Sequence, residues 1–301
     1  MNPSRAFCDP ELLAGISSLE LRARRIVEGY VSGLQRSPWQ GFSVEFAEHR
    51  EYVPGDDLRH VDWKAYGKTD KIYIKRYEQD TNLICYLALD ASESLLYQSP
   101  QAPWTKWDCA RTIAAALSHL IMRQQDSLGW AIIADELRQV VRPSGSPAQG
   151  RQFIDELGRL SAAGPTSLGK LLAQLAERWN RRGVVVVISD LFCDLSELLT
   201  GLRRLHYRQH DVIVLQVLDP AELDFPFAED CVFLDMEGAD RLAVDPQLLR
   251  TGYLRELELH NRSVRASCRE WGCDFLQIRT TDPLDLALAA LLNRRVRQTK
   301  I

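Results

Sequence analysis

Asp90, Ser92 and Ser94 stand at alternate positions directly after the mostly apolar run Leu83-Ile84-Cys85-Tyr86-Leu87-Ala88-Leu89. One carboxylate and two hydroxyls on a tight loop are hard oxygen donors, a set that suits a divalent cation of the magnesium type better than zinc. Ser and Asp are also ordinary turn residues, so a plain turn is the competing interpretation. Two distant residues extend the set. Asp190 follows Val184-Val185-Val186-Val187-Ile188-Ser189, and Thr166 closes the loop Ala162-Ala163-Gly164-Pro165-Thr166 ahead of an amphipathic segment. Asp90, Ser92, Ser94, Thr166 and Asp190 thus offer five oxygen side chains, which with a few waters make an octahedral magnesium site with one position open. The alternative for the two aspartates is that each caps a helix at a strand end.

Such a site needs elements that bring residues 90, 166 and 190 together. A continuous apolar run like that before Asp90 reads as a strand buried on both faces, and open α/β sheets keep their ligands at the carboxyl ends of strands. Strand and helix alternate from there on, the signature of a doubly wound, mostly parallel sheet, here of six strands. After the opening strand the pattern predicts strands over 128–134, 137–142, 184–188, 212–218 and 275–279. It predicts helices over 106–123, 153–160, 167–180, 195–207, 246–270 and 283–298, with an edge hairpin or excursion within 221–244. In the Rossmann-type order 3-2-1-4-5-6, strands 1 and 4 are neighbours and the winding reverses between them. Asp90 ends strand 1 and Asp190 ends strand 4, so that order makes the two carboxylates converge.

Residues 1–80 read as a separate N-terminal helical and loop module, and 81–301 as the α/β domain. Leu12, Ile16, Leu19, Ala23, Ile26, Tyr30, Val31 and Leu34 recur at helical spacing, predicting one helix over 10–35 stopped by Pro38. Arg22, Arg24 and Arg25 on it read as a solvated face rather than a docking patch. Within 41–80, Pro54-Gly55-Asp56-Asp57 is a turn signal, and Asp56 and Asp57 are either an acid/base or metal pair or part of a loop module tied by arginine-carboxylate pairs and aromatic packing. The second reading is preferred, with a strand over 71–78. His206 and His210 have the spacing of helical zinc ligands, but the pair straddles a helix end.

Composition narrows the function class. With 301 residues and 46% apolar content the chain can bury a full core. A net charge of −4 gives no overall basic excess of the kind a nucleic-acid binder carries. The chain has no Gly-x-x-x-x-Gly-Lys-Ser/Thr and no Gly-x-Gly-x-x-Gly, so nucleotide hydrolysis is left to a partner. Seven cysteines without a Cys-x-x-Cys fit a reducing compartment. Met-Asn-Pro-Ser-Arg lacks a signal-peptide apolar stretch and no segment reaches the roughly 20 apolar residues of a membrane span, so a cytoplasmic location is expected. An aspartate ending the first strand is also where aspartyl-phosphate enzymes keep their nucleophile. Those enzymes use a second acid two residues on, where this chain has Ser92. A binding protein is therefore expected, with a metal-dependent phosphohydrolase built on Asp90 as the alternative.

Asp90-x-Ser92-x-Ser94, then Thr166, then Asp190 after a valine-rich strand resembles the metal-ion-dependent adhesion site of von Willebrand factor type A domains. The segment from Glu45-Phe46 through Arg50-x-Tyr52-x-x-Gly55-Asp56-Asp57-x-Arg59-x-x-Asp62-Trp63 to Gly67-Lys68-Thr69-Asp70-Lys71 is more specific. It resembles the N-terminal signature of the bacterial family known as domain of unknown function fifty-eight, whose members carry such a von Willebrand A-like domain, and the resemblance covers about residues 20 to 220. It implies a site for Mg2+ (or Mn2+ or Ca2+) with Ser92, Ser94 and Thr166 as hydroxyl ligands, Asp90 and Asp190 holding ligand waters, and Glu93 pointing away. It further implies that an acidic side chain of a protein partner fills the open position, so that the cation is a bridge rather than a catalyst. Members are typically encoded beside a MoxR-type AAA+ ATPase, which makes such an ATPase an expected partner in protein assembly or maturation. Leu95 stands where the family often has Met, which costs no ligand.

Overall fold

The computed structural model describes residues 9–35, 49–51, 73–75, 83–227, 231–234, 236, 241–285 and 289. Asp9 caps the first helix by accepting the Glu11 N–H, and Pro10, which needs no donor in the first turn, starts it: α1 is Pro10–Ala14. The single helix expected over 10–35 is in fact two, because Gly15, Ser17 and Ser18 interrupt it with residues of weak helix preference. Ser18 Oγ then accepts the Leu21 N–H as α2 (Leu19–Gln35) begins. Arg22 clasps the break. Its Nε donates to the Ile16 carbonyl at 2.5 Å, its Nη2 to the Ala14 carbonyl at 3.3 Å, and its guanidinium lies over the Trp104 ring. Arg22 is therefore buried and structural, whereas Arg24 stays exposed in an ion pair with Glu28.

Two compact units divide the chain, one of residues 1–33 with 83–301 and the other of 34–82. Leu13, Ala23, Ile26 and Val27 join the core of the α/β unit, so the N-terminal helices pack with the sheet. In the second unit, β1 (His49–Glu51) pairs antiparallel with β2 (Tyr73–Lys75). The strand expected over 71–78 is thus present in its middle, while Asp56 and Asp57 lie outside the described residues.

The main unit is built on β3 (Ile84–Asp90), buried along its whole length. Successive side chains of a strand point to opposite faces, and β3 shows it. Cys85, Leu87 and Leu89 belong to one core, Ile84, Tyr86 and Ala88 to the other. A 3-10 turn, Glu93–Leu96, leads to α3 (Lys106–Arg123), capped by Thr105, whose side chain accepts the Asp108 N–H. Then come β4 (Ser127–Ile133), the edge strand β5 (Leu137–Ser144) and α4 (Pro147–Arg159), which starts six residues before the expected position because Pro147 suits the first helical turn. Next are α5 (Leu168–Arg178), β6 (Val184–Ser189), α6 (Leu195–Tyr207), β7 (Asp211–Leu218) and α7 (Pro220–Asp224). The excursion is a short antiparallel pair, β8 (Cys231–Leu234) with β9 (Arg241–Val244). The long α8 (Pro246–Glu270) and β10 (Asp274–Arg279) follow, and most of the helix expected over 283–298 lies outside the described residues.

Sheet order is β5-β4-β3-β6-β7-β10, all parallel except β5. Numbering the six strands of this sheet in chain order gives 3-2-1-4-5-6, the doubly wound order expected from the pattern. Residues of α2, α3 and α4 fill the core on one face, residues of α5, α6 and α8 the core on the other. The winding reverses between β3 and β6; Asp90, Ser92 and Ser94 sit at the carboxyl end of β3 and Asp190 at that of β6, while Thr166 lies in the loop between α4 and α5.

Candidate functional site

The register of β3 against β6 decides who meets whom. Leu89 stands opposite Ile188, so the next step sets Asp90 against Ser189 and leaves Asp190 one residue beyond. Accordingly Ser189 Oγ donates to Asp90 Oδ2 at 2.6 Å, and the other oxygen, Oδ1, accepts the Ser92 N–H at 2.9 Å. The fully buried Asp90 thus has both oxygens held by donors. Ser92 Oγ and Ser94 Oγ lie 3.1 Å apart. Two oxygens bound side by side on a magnesium ion, each at 2.0–2.1 Å, are about 3 Å apart, so the hydroxyl pair already has the spacing of one edge of an octahedron.

The Thr166 loop is stitched to the Ser92 loop by backbone bonds. Glu93 N–H donates to the Gly164 carbonyl at 2.9 Å and Ala163 N–H to the Ala91 carbonyl at 3.0 Å, while Ser167 N–H reaches the Ala134 carbonyl. Gly164 turns the chain at φ 74, a conformation that favours glycine. On the other side Leu191 also takes a left-handed φ of 64, rare for a branched residue. Its N–H bonds Ser189 Oγ and its side chain is fully buried, which holds the sharp exit from β6 in place. The Phe192 N–H donates to Asp190 Oδ1 at 3.2 Å.

Three residues not singled out from the sequence complete the arrangement. Lys106, at the first position of α3, donates to Asp190 Oδ2 at 2.8 Å and to Glu222 Oε1 at 2.5 Å. Ser189 anchors Asp90 as described. Gln216 Nε2 donates to the Asp190 carbonyl at 3.1 Å and to Asn261 Oδ1 on α8 at 2.9 Å. One clue to Lys106 was available: a lysine in the first turn of a helix opposes the macrodipole and wants a compensating anion.

Burial and then the neighbouring Asp190 charge push the Asp90 carboxyl up to about 7. Burial works against charge on Lys106 too, but Asp190 and Glu222 outweigh it and raise the ammonium above its ordinary value. Glu222 is pushed up to about 6, chiefly by burial. One ammonium therefore bonds two carboxylates, Asp190 and Glu222, and the Asp90 carboxyl feels the Asp190 charge beside them. The Cys193 thiol beside it is pushed up to about 12, by burial first and then by Asp90, so it stays protonated and offers no thiolate.

Among the described residues no three His, Cys, Asp or Glu side chains gather as a cage for a metal, and the candidate set depends on its hydroxyls. The His206 and His210 spacing leads to no site. His210 is buried after the end of α6, with Nε2 at 3.0 Å from the Trp179 carbonyl. No helix among the described residues is long and apolar enough to cross a membrane.

Comparison with solved structures finds similarity to the conserved hypothetical protein BatB from Bacteroides thetaiotaomicron, with TM-score 0.47 and 13% identity, over 71% of this chain and 99% of that one. The VWA domain of SpRpn10 is similar with TM-score 0.39 and 13% identity, over 68% of this chain and 93% of that one. An uncharacterized protein of Mycobacterium tuberculosis is 30% identical over 281 residues, 90% of this chain and 86% of the relative. Residues 48–263 match the family described as Protein of unknown function DUF58, and the chain belongs to that family.

Proposed function

We propose that the chain is a protein-interaction module that holds an acidic side chain of a partner through a divalent cation at the carboxyl ends of β3 and β6. Ser92, Ser94 and Thr166 are the hydroxyls that would hold the cation, Mg2+ or else Mn2+ or Ca2+, with Asp90 and Asp190 behind them supplying negative charge. When bound, the cation offers an open coordination position that a partner carboxylate can fill. The observation that carries this reading is the pairing of hydroxyls at octahedral-edge spacing with a buried carboxylate group that a single ammonium does not balance. Asp90 orients the Ser92 loop through its bond to the Ser92 N–H, and Ser189 keeps Asp90 in that orientation. A MoxR-type AAA+ ATPase acting in protein assembly is the proposed functional companion, in the cytoplasm.

An Asp90 phosphohydrolase fits less well. Both Asp90 oxygens are already held by donors, and the position two residues on carries Ser92 rather than an acid. Calorimetric titration of magnesium into the wild type and into a Ser92→Ala/Ser94→Ala double variant tests the proposal. Binding by the wild type that is lost in the variant supports it, and equal affinity for the two overturns it. Screening phosphate esters with wild type and Asp90→Asn separates the classes, since a binding module turns over none of them in either form.

A further inference from the structure

The geometry points to Lys106 as the resident counter-cation of the site, the group that sets how tightly Asp190 is available to a divalent cation. This inference rests on the cation-site reading above. The Lys106 ammonium bridges Asp190 Oδ2 at 2.8 Å and Glu222 Oε1 at 2.5 Å, with 1% of its side chain exposed. The Phe192 ring lies 4.9 Å from Nζ and the Tyr97 ring 5.9 Å, both within reach of a cation-π attraction. Removing an ammonium from water is costly unless charged partners replace the lost hydration, and the positive end of α3 adds to that cost. The lysine is stable there only because two carboxylates hold it.

Two consequences follow for the cation. A divalent ion drawing on Asp190 meets a like charge already bonded to the same carboxylate, so Lys106 both competes for Oδ2 and repels. Glu222 provides the alternative seat for the ammonium. It is anchored independently, because its Oε2 accepts the Asp219 N–H at 2.8 Å in the capping box of α7, and Asp219 itself also accepts the Ser99 N–H at 2.9 Å. The lysine can therefore release Asp190 and remain paired. Lys106 lowers the affinity of the site, Glu222 limits that loss, and the pair fixes the concentration of cation at which the partner-binding face becomes competent.

Magnesium chloride is titrated calorimetrically into the full chain and its Lys106→Met and Glu222→Gln variants, with thermal melts to verify folding. Lys106→Met, close in shape and uncharged, binds at least tenfold more tightly than wild type. Glu222→Gln, which keeps the lysine and returns it wholly to Asp190, binds at least tenfold more weakly. A lysine that merely supports the fold predicts weaker or unchanged binding in Lys106→Met. That result, with binding intact in the wild type, overturns the inference and leaves the cation site standing. No binding heat in wild type or either variant overturns both. Should Lys106→Met fail to fold, Glu222→Gln decides alone, and unchanged affinity overturns the inference.

Discussion

Gly169→Ala forces apart the two helices that follow the two halves of the site. α5 begins directly after the Thr166 loop and α6 shortly after Asp190, and they touch at Gly169 and Gly201. A Cβ on Gly169 would fall within 3.0 Å of the Glu197 and Leu198 backbone, and one on Gly201 within 3.0 Å of the Gly169 carbonyl oxygen. These obstacles are helix backbone and cannot swing away like a flexible side chain. Carbon atoms settle at about 3.5–4.0 Å, so the helices must separate by roughly 1 Å. Overpacking of this kind costs about 1–3 kcal/mol, offset by the ~1 kcal/mol better helix preference of alanine. A net loss of about 0–2 kcal/mol corresponds to a fall in Tm of no more than roughly 8 °C for a chain of this size. The effect on the site is larger in proportion. Magnesium tolerates little departure from octahedral geometry, and a shift of about 1 Å between Thr166 and Asp190 takes a donor out of reach. Magnesium affinity measured by calorimetry is expected to fall at least tenfold, or about 1.4 kcal/mol. Gly158→Ala on α4, where nothing lies within 4 Å of the added carbon, is the control and leaves affinity unchanged. A folded Gly169→Ala chain that binds magnesium like the wild type would refute the coupling of helix spacing to the site.

Without divalent cation the chain loses stability as pH rises. The Asp90 and Glu222 carboxyls sit at about 7 and about 6, above the range of an unfolded chain. Their contribution is therefore full below about pH 4 and fades as pH climbs through those values. Melts in a chelator are expected to give a lower Tm at about pH 8 than at about pH 5, with added magnesium raising the Tm more at the higher pH; a Tm that does not change with pH counts against this. Ser189→Ala leaves Asp90 Oδ2 without its 2.6 Å donor and the Leu191 N–H without its acceptor. At about 1–3 kcal/mol for each of the two orphaned groups, denaturant unfolding should show a loss of about 2–6 kcal/mol, and a loss under 1 kcal/mol would mean that both groups find other partners.

The sheet was legible because its strands are uninterrupted apolar runs ending in polar residues, and only a parallel sheet covered on both faces asks for that. Asp90 and Asp190 could be placed from strand ends and the usual order alone. Lys106 could not be placed with them, since a lysine near a helix start reads as solvent-facing until the fold shows that Asp190 and Glu222 lie around it. Ser189 was hidden for a different reason. Its partnership with Asp90 depends on register, which links residues far apart in the chain and leaves no local pattern. Helix breaks were misjudged where side-chain bonding overrides apolar periodicity, as at Gly15 to Ser18, where the Arg22 clasp stabilises a turn that the spacing of leucines conceals.

The pairing of β3 with β6 has a kinetic meaning. Cys85 and Val184 are register partners, so the two strands join only after a loop of roughly a hundred residues has closed, the kind of non-local contact that slows folding. The oxygen donors at 90, 92 and 94 have no counterpart from 190 until that closure is complete. An ion that recognises the finished cluster has little to hold in the folding transition state, so magnesium should retard unfolding while leaving the refolding rate nearly unchanged. The site would then act as a latch on the native state rather than as a template for reaching it.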